Sequence, residues 1–92
     1  MDYDIPEEVR TKYIERRRLD LMTCKDALKQ LEFKIISHLG HQIQGNAAMY
    51  GFAGLGEIAV DLEYYANKKE LENLNLALGR FEKFLTELKT KS

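Results

Sequence analysis

Much that would point to other kinds of protein is missing from this chain. It has one cysteine, Cys24, in 92 residues, so no internal disulfide can form and no cysteine spacing suits a structural metal. It has no signal-like apolar opening, no run of membrane-spanning length and no N-x-S/T acceptor, so a reducing cytosol is the expected compartment. Formal net charge is −1, with both signs interspersed, so no basic field favours nucleic acid. Proline occurs once, at Pro6, and β-branched residues are sparse. The abundant residues are Leu, Ala, Glu, Lys and Arg, which favour helix throughout.

A chain this short fits a single domain that buries about 60–65% of its unfolded surface. Its periodicity predicts four helices over about 6–30, 32–50, 54–66 and 68–89, packed as an all-α, antiparallel up-down-up-down four-helix bundle. Asp4 is placed to cap the first helix, Pro6 suits its first turn, and Glu7 and Glu8 complement its dipole. The stripe of the first helix is Ile14, Leu21, Cys24, Leu28 and Leu31. Arg17 lies in line with it and must snorkel or find a partner.

The second helix has the stripe Ile36, Leu39, Ile43, Ala47 and Tyr50. The shift between the two stripes calls for a tight turn near Leu31 to Phe33. Gly51 suits a left-handed end to the second helix, and Gly54 followed by Glu57 suits the start of the third. Leu55, Ile58, Ala59, Leu62 and Ala66 then face inward. Asn67 to Glu70 reads as a capping box. It opens a heptad stripe of Leu71, Leu74, Leu78, Phe81, Leu85 and Leu88.

The segment His41-Gln-Ile-Gln-Gly45 departs from plain bundle logic. His41 lies about 200° round the helix from Ile43, so it points away from the core. Around it stand small or polar residues: Ser37, His38, Gln44, Gly45 and Ala48. A glycine inside a helix costs about 1 kcal/mol relative to alanine, so Gly45 suggests close approach by another molecule. The plain reading of an exposed histidine is solvated surface. The chemical reading is that an imidazole with a pKa of about 6.5 is largely neutral and nucleophilic near neutral pH. Such a ring can accept a phosphoryl group with no separate base, given a partner that positions and neutralises the charge. Two rivals stay open: half of a metal site from His38 and His41, and a non-catalytic binding face. The three glycines Gly51, Gly54 and Gly56 lack the preceding strand of a nucleotide loop.

These residues resemble the motif of histidine-containing phosphotransfer (Hpt) domains. The family pattern reads His, any residue, apolar, Lys, Gly, and a further Gly six residues on. His41, Ile43, Gly45 and Gly51 match it. Ile5-Pro6, the run from Tyr13 to Asp20, Asn46 to Phe52 and Ala59 to Glu63 resemble one bacterial subgroup, so the likeness runs from about Ile5 to Leu88. It implies a bundle in which His41 accepts a phosphoryl group from a receiver-domain aspartate and passes it to another receiver. Gln44 and Gly45 would support the phosphoryl site. Ser37, His38, Gln44, Gly45 and Ala48 would dock the partner.

The implied partners are a response-regulator receiver domain, a hybrid histidine kinase, or both. Mg²⁺ would be expected on the receiver and no cofactor on this chain. A monomer, neither binding nucleic acid nor entering a membrane, is the expectation, and start and length suit a protein that stands alone. Gln44 stands where the family has lysine. Glutamine offers a hydrogen bond but no charge, which implies a weaker or shorter-lived phosphohistidine.

Overall fold

The first helix begins directly behind Pro6, whose extended backbone leaves its carbonyl free to accept from the amides of Val9 and Arg10 at 3.0 and 3.1 Å. The computed structural model describes residues 5–90. It contains helices α1 (Glu7–Lys29), α2 (Phe33–Asn46), α3 (Ala53–Lys68) and α4 (Leu71–Thr90), with one turn of 3-10 helix over Ala48–Tyr50 between α2 and α3. The cap expected from Asp4 falls outside the described residues.

The pairing of side chains gives the helix directions. Ser37 meets Asn67 and Gln44 meets Glu63, so α2 and α3 run antiparallel. Arg80 meets Asp61, and a Cβ on Gly54 would lie against Phe84, so α3 and α4 do the same. Tyr13 on α1 reaches Asn46 at the far end of α2. The result is an all-α antiparallel four-helix bundle in which α2 and α3 share the most extensive contact. Its core is built from Ile14, Leu21, Cys24, Ile36, Ile43, Leu55, Leu62, Leu74, Phe81 and Leu85.

Several details differ from the periodic reading. The second helix does not run unbroken to Tyr50, because its backbone tightens into the 3-10 turn after Ala47. The third starts at Ala53 rather than Gly54 and continues through Asn67 to Lys68. The capping box at Asn67 therefore does not form, and Asn67 instead accepts the Ser37 hydroxyl at 2.7 Å. At the start of α4, Glu70 provides its carbonyl to Leu74 and its carboxylate to the Asn73 amide. Leu31 and Leu71, both assigned to stripes, are exposed at the turns. Arg17 does find a partner: its Nε is 2.7 Å from Oδ2 of the buried Asp20.

Three helical segments end with the same pair of backbone bonds. Around Leu31 these are Leu31 N–H to Leu28 and Glu32 N–H to Ala27, and around Lys69 they are Lys69 N–H to Ala66 and Glu70 N–H to Tyr65. Around Gly51 they are Gly51 N–H to Ala48 and Phe52 N–H to Ala47. The central residue is left-handed each time, with φ of 58°, 57° and 89°, and only Gly51 escapes the Cβ penalty. Leu31→Gly and Lys69→Gly are each expected to raise stability by about 0.5–1 kcal/mol, the relieved strain exceeding the added freedom of the unfolded chain. Urea denaturation would show a higher midpoint at unchanged slope.

Cys24 is fully buried, and burial pushes its thiol up to about 12. The unfolded chain releases this proton near pH 9 while the folded chain keeps it, so stability falls as pH rises from about 9 to about 12. Near pH 11 the wild type should lose about 2–3 kcal/mol more, relative to its own value at pH 8, than Cys24→Ala loses. Denaturant titrations at the two pH values check this.

Candidate functional site

The site is made where the backbones of α2 and α3 come close together. That approach depends on Gly40, which is buried. A Cβ placed there would lie 2.9 Å from the Ala59 carbonyl oxygen, 2.9 Å from the Glu63 amide nitrogen and 3.2 Å from the Leu62 Cβ. Only glycine lets the two backbones come this near. The next residue, His41, therefore emerges beside Glu63 of α3.

The His41 side chain is 71% exposed, and its Nδ1 lies 3.2 Å from Glu63 Oε2. The other carboxylate oxygen, Oε1, accepts a hydrogen bond from the Gln44 side-chain amide. Glu63 thus bridges two residues of α2 one turn apart. With Nδ1 turned to the carboxylate, the free nitrogen of the ring is Nε2.

In front of His41 the surface is open. A Cβ built on Gly45 meets nothing within 4 Å, so the fold itself makes no demand for glycine there. Ser37, His38, Gln44 and Gly45 lie within about 60° of His41 round the helix axis, and Ala48 follows at the start of the 3-10 turn. His38, Gly45 and Ala48 are exposed, and Ser37 and Gln44 are half-buried. The exposed Met49 extends this surface. Among the described residues, no three His, Cys, Asp or Glu side chains come together as a metal would require.

The end of α2 is braced from α1. Tyr13 donates to Asn46 Oδ1 at 2.5 Å, and its ring stacks on Tyr50 at 4.3 Å between centroids. The Arg17 guanidinium lies 4.4 Å from the ring centre, and Asp20 holds Arg17 in turn. Burial raises the Tyr13 phenol above its ordinary value, so it remains a neutral donor. This line of residues fixes the segment that carries Gly45, Ala48 and Met49.

His41, Gln44 and Gly45 were legible along α2; Glu63 stood out only as the end of the family-like stretch from Ala59, with no role, and Gly40 not at all. The signal for Gly40 was present, since it falls in phase with Ile36 and Ile43 on the apolar side of the helix. Glu63 had no such signal. It stands 22 positions beyond His41 in the chain, and only the antiparallel register brings the two together.

The bundle presents an exposed imidazole, His41, on one helix face. The Hpt domain family model matches residues 8–91, and the chain belongs to that family. Hpt domains are histidine phosphotransfer modules of two-component signalling, and they interact with receiver domains and kinases. No curated protein and no solved structure matches the chain. Among the described residues no helix is long and apolar enough to cross a membrane.

Proposed function

We propose that this chain is a phosphorelay carrier whose acceptor is His41, reacting through Nε2. The observation that carries this reading is the pairing of His41 Nδ1 with Glu63, 3.2 Å away. When the ring is neutral, a proton held on Nδ1 toward the carboxylate leaves the lone pair on Nε2, on a side chain that is mostly exposed.

The transfer is a direct exchange. The Nε2 lone pair attacks the phosphorus of an aspartyl phosphate on a receiver domain. The N–P bond forms as the P–O bond to the aspartate breaks, and that electron pair returns to the receiver's carboxylate. The reverse step on a second receiver frees His41. Neither water nor nucleotide takes part. Most of the barrier is lowered by positioning and charge neutralisation, and the receiver would bring the Mg²⁺. Gly45 supports this reading because the space before it admits the rim of a partner's active site to within backbone distance of α2. Ser37, His38, Gln44 and Ala48 would complete the docking face. The carrier would act as a monomer in a reducing cytosol.

The test is to incubate the purified chain with a phosphorylated receiver domain. Phosphate should leave the receiver and appear on this chain in a form that is labile to acid and stable to alkali. If the chain binds receivers but never gains phosphate, it is a binding module and the proposal fails.

A further inference from the structure

Gln44 stands one turn from His41, and the motif invites the view that it holds the phosphoryl oxygens. The geometry points to another role: we propose that Gln44 is a positioning residue that acts through Glu63 and not on the phosphoryl group. The inference rests on the reading of His41 as the acceptor.

Three observations support it. The Gln44 side-chain nitrogen donates one of its two N–H groups to Glu63 Oε1. That bond points toward α3, into the seam between the helices, whereas the His41 side chain stands mostly in solvent. Gln44 is also half-buried while His41 is 71% exposed, so the amide lies behind the imidazole rather than beside an incoming phosphate.

The consequence for Glu63 follows from its flexibility. A glutamate side chain loses substantial rotamer freedom when held in one geometry. One contact, to His41, would leave the carboxylate free to swing about it. The second contact, on the opposite oxygen, fixes the plane of the carboxylate and with it the direction in which Nδ1 is met. Gln44 does this without charge. A lysine at the same place would compete with His41 for the carboxylate and neutralise it. The neutral amide leaves the full negative charge of Glu63 facing the ring. On this view the departure from the family pattern transfers a role from the phosphoryl group to the imidazole.

A double-mutant cycle decides the question. The four proteins are wild type, Gln44→Leu, Glu63→Ala and the double variant. The first readout is the ring tautomer of His41, from its ¹⁵N shifts in the unphosphorylated protein. The second is the rate at which His41 gains phosphate from phosphoramidate, a small donor whose P–N bond breaks with release of ammonia as the Nε2–P bond forms. Gln44→Leu should reduce the Nδ1-protonated tautomer and slow labelling roughly fivefold, the scale of one net hydrogen bond. In the Glu63→Ala background the same change should have no further effect on either readout.

If Gln44→Leu slows labelling equally with and without Glu63, the amide acts on the phosphoryl group and the proposal is overturned. It is also overturned if Gln44→Leu moves neither readout. A wild type that takes no phosphate from any donor would sink the carrier reading instead, and the tautomer measurement would still decide the role of Gln44.

Discussion

His41→Gln is expected to abolish phosphorylation by a phosphorylated receiver domain, while His38→Gln, which keeps the acceptor and alters only the docking face, still takes up phosphate. Glutamine has nearly the reach of histidine but offers no nucleophilic nitrogen, because its amide lone pair is delocalised into the carbonyl. The His41 side chain is 71% exposed, so the loss cannot be ascribed to unfolding. Stability should stay within about 0.5 kcal/mol of wild type. His38 is the informative control. It shares the outer side of α2 and is also exposed, but Glu63 meets His41, and Gly45 stands one turn beyond His41. Phosphate analysis under acid and alkali on the three proteins gives the result directly. Label retained on His41→Gln and lost on His38→Gln would transfer the acceptor role to His38.

The same substitution at two glycines of α2 should give opposite outcomes. Gly40→Leu is expected to lower stability by about 3 kcal/mol, the upper part of the usual range for overpacking. Its Cβ alone would lie 2.9 Å from two backbone atoms of α3, and backbone cannot turn aside as a side-chain tip can. The helices must separate, and His41 is then carried away from Glu63. Gly45→Leu meets open space and gains helix propensity, so stability should rise by just under about 1 kcal/mol. Its cost appears in function. Transfer from a receiver should fall by roughly 100-fold or more, as expected when a docked geometry is displaced by about an ångström. Labelling by phosphoramidate should persist, since a small donor needs no docking surface. Thermal melts and the two labelling assays separate the cases. If Gly45→Leu transferred normally from a receiver, the partner would not approach over that residue.

The parts that periodicity could reach were legible in the sequence. The apolar residues of the helices repeat every three or four positions, and this placed all four helices, the Leu31 turn and most of the core. What escaped was set by contacts between distant residues. Asn67 has the composition of a cap, but Ser37 on another helix takes its carbonyl, and α3 continues past it. Arg17 announced that it needed a partner, and the partner, Asp20, is buried on the same helix, but no local rule requires a buried aspartate there. The site was legible on one helix only. His41, Gln44 and Gly45 could be read along α2, whereas Glu63 depends on a register that only the close approach at Gly40 fixes.

That His41 and Glu63 sit on consecutive helices has a consequence for how the site is maintained. Both belong to one hairpin, α2 through α3, whose members share the largest contact in the bundle. Its ends are joined by a short connection, so little loop-closure entropy opposes its formation. The His41–Glu63 pair is therefore assembled by neighbours in the chain. Opening of the last turn of α4, or brief detachment of the start of α1, leaves it standing. Amide hydrogens around Gly40 and Ala59 should be among the slowest to exchange, and the His41–Glu63 pairing should be among the last contacts to be lost as the molecule is warmed.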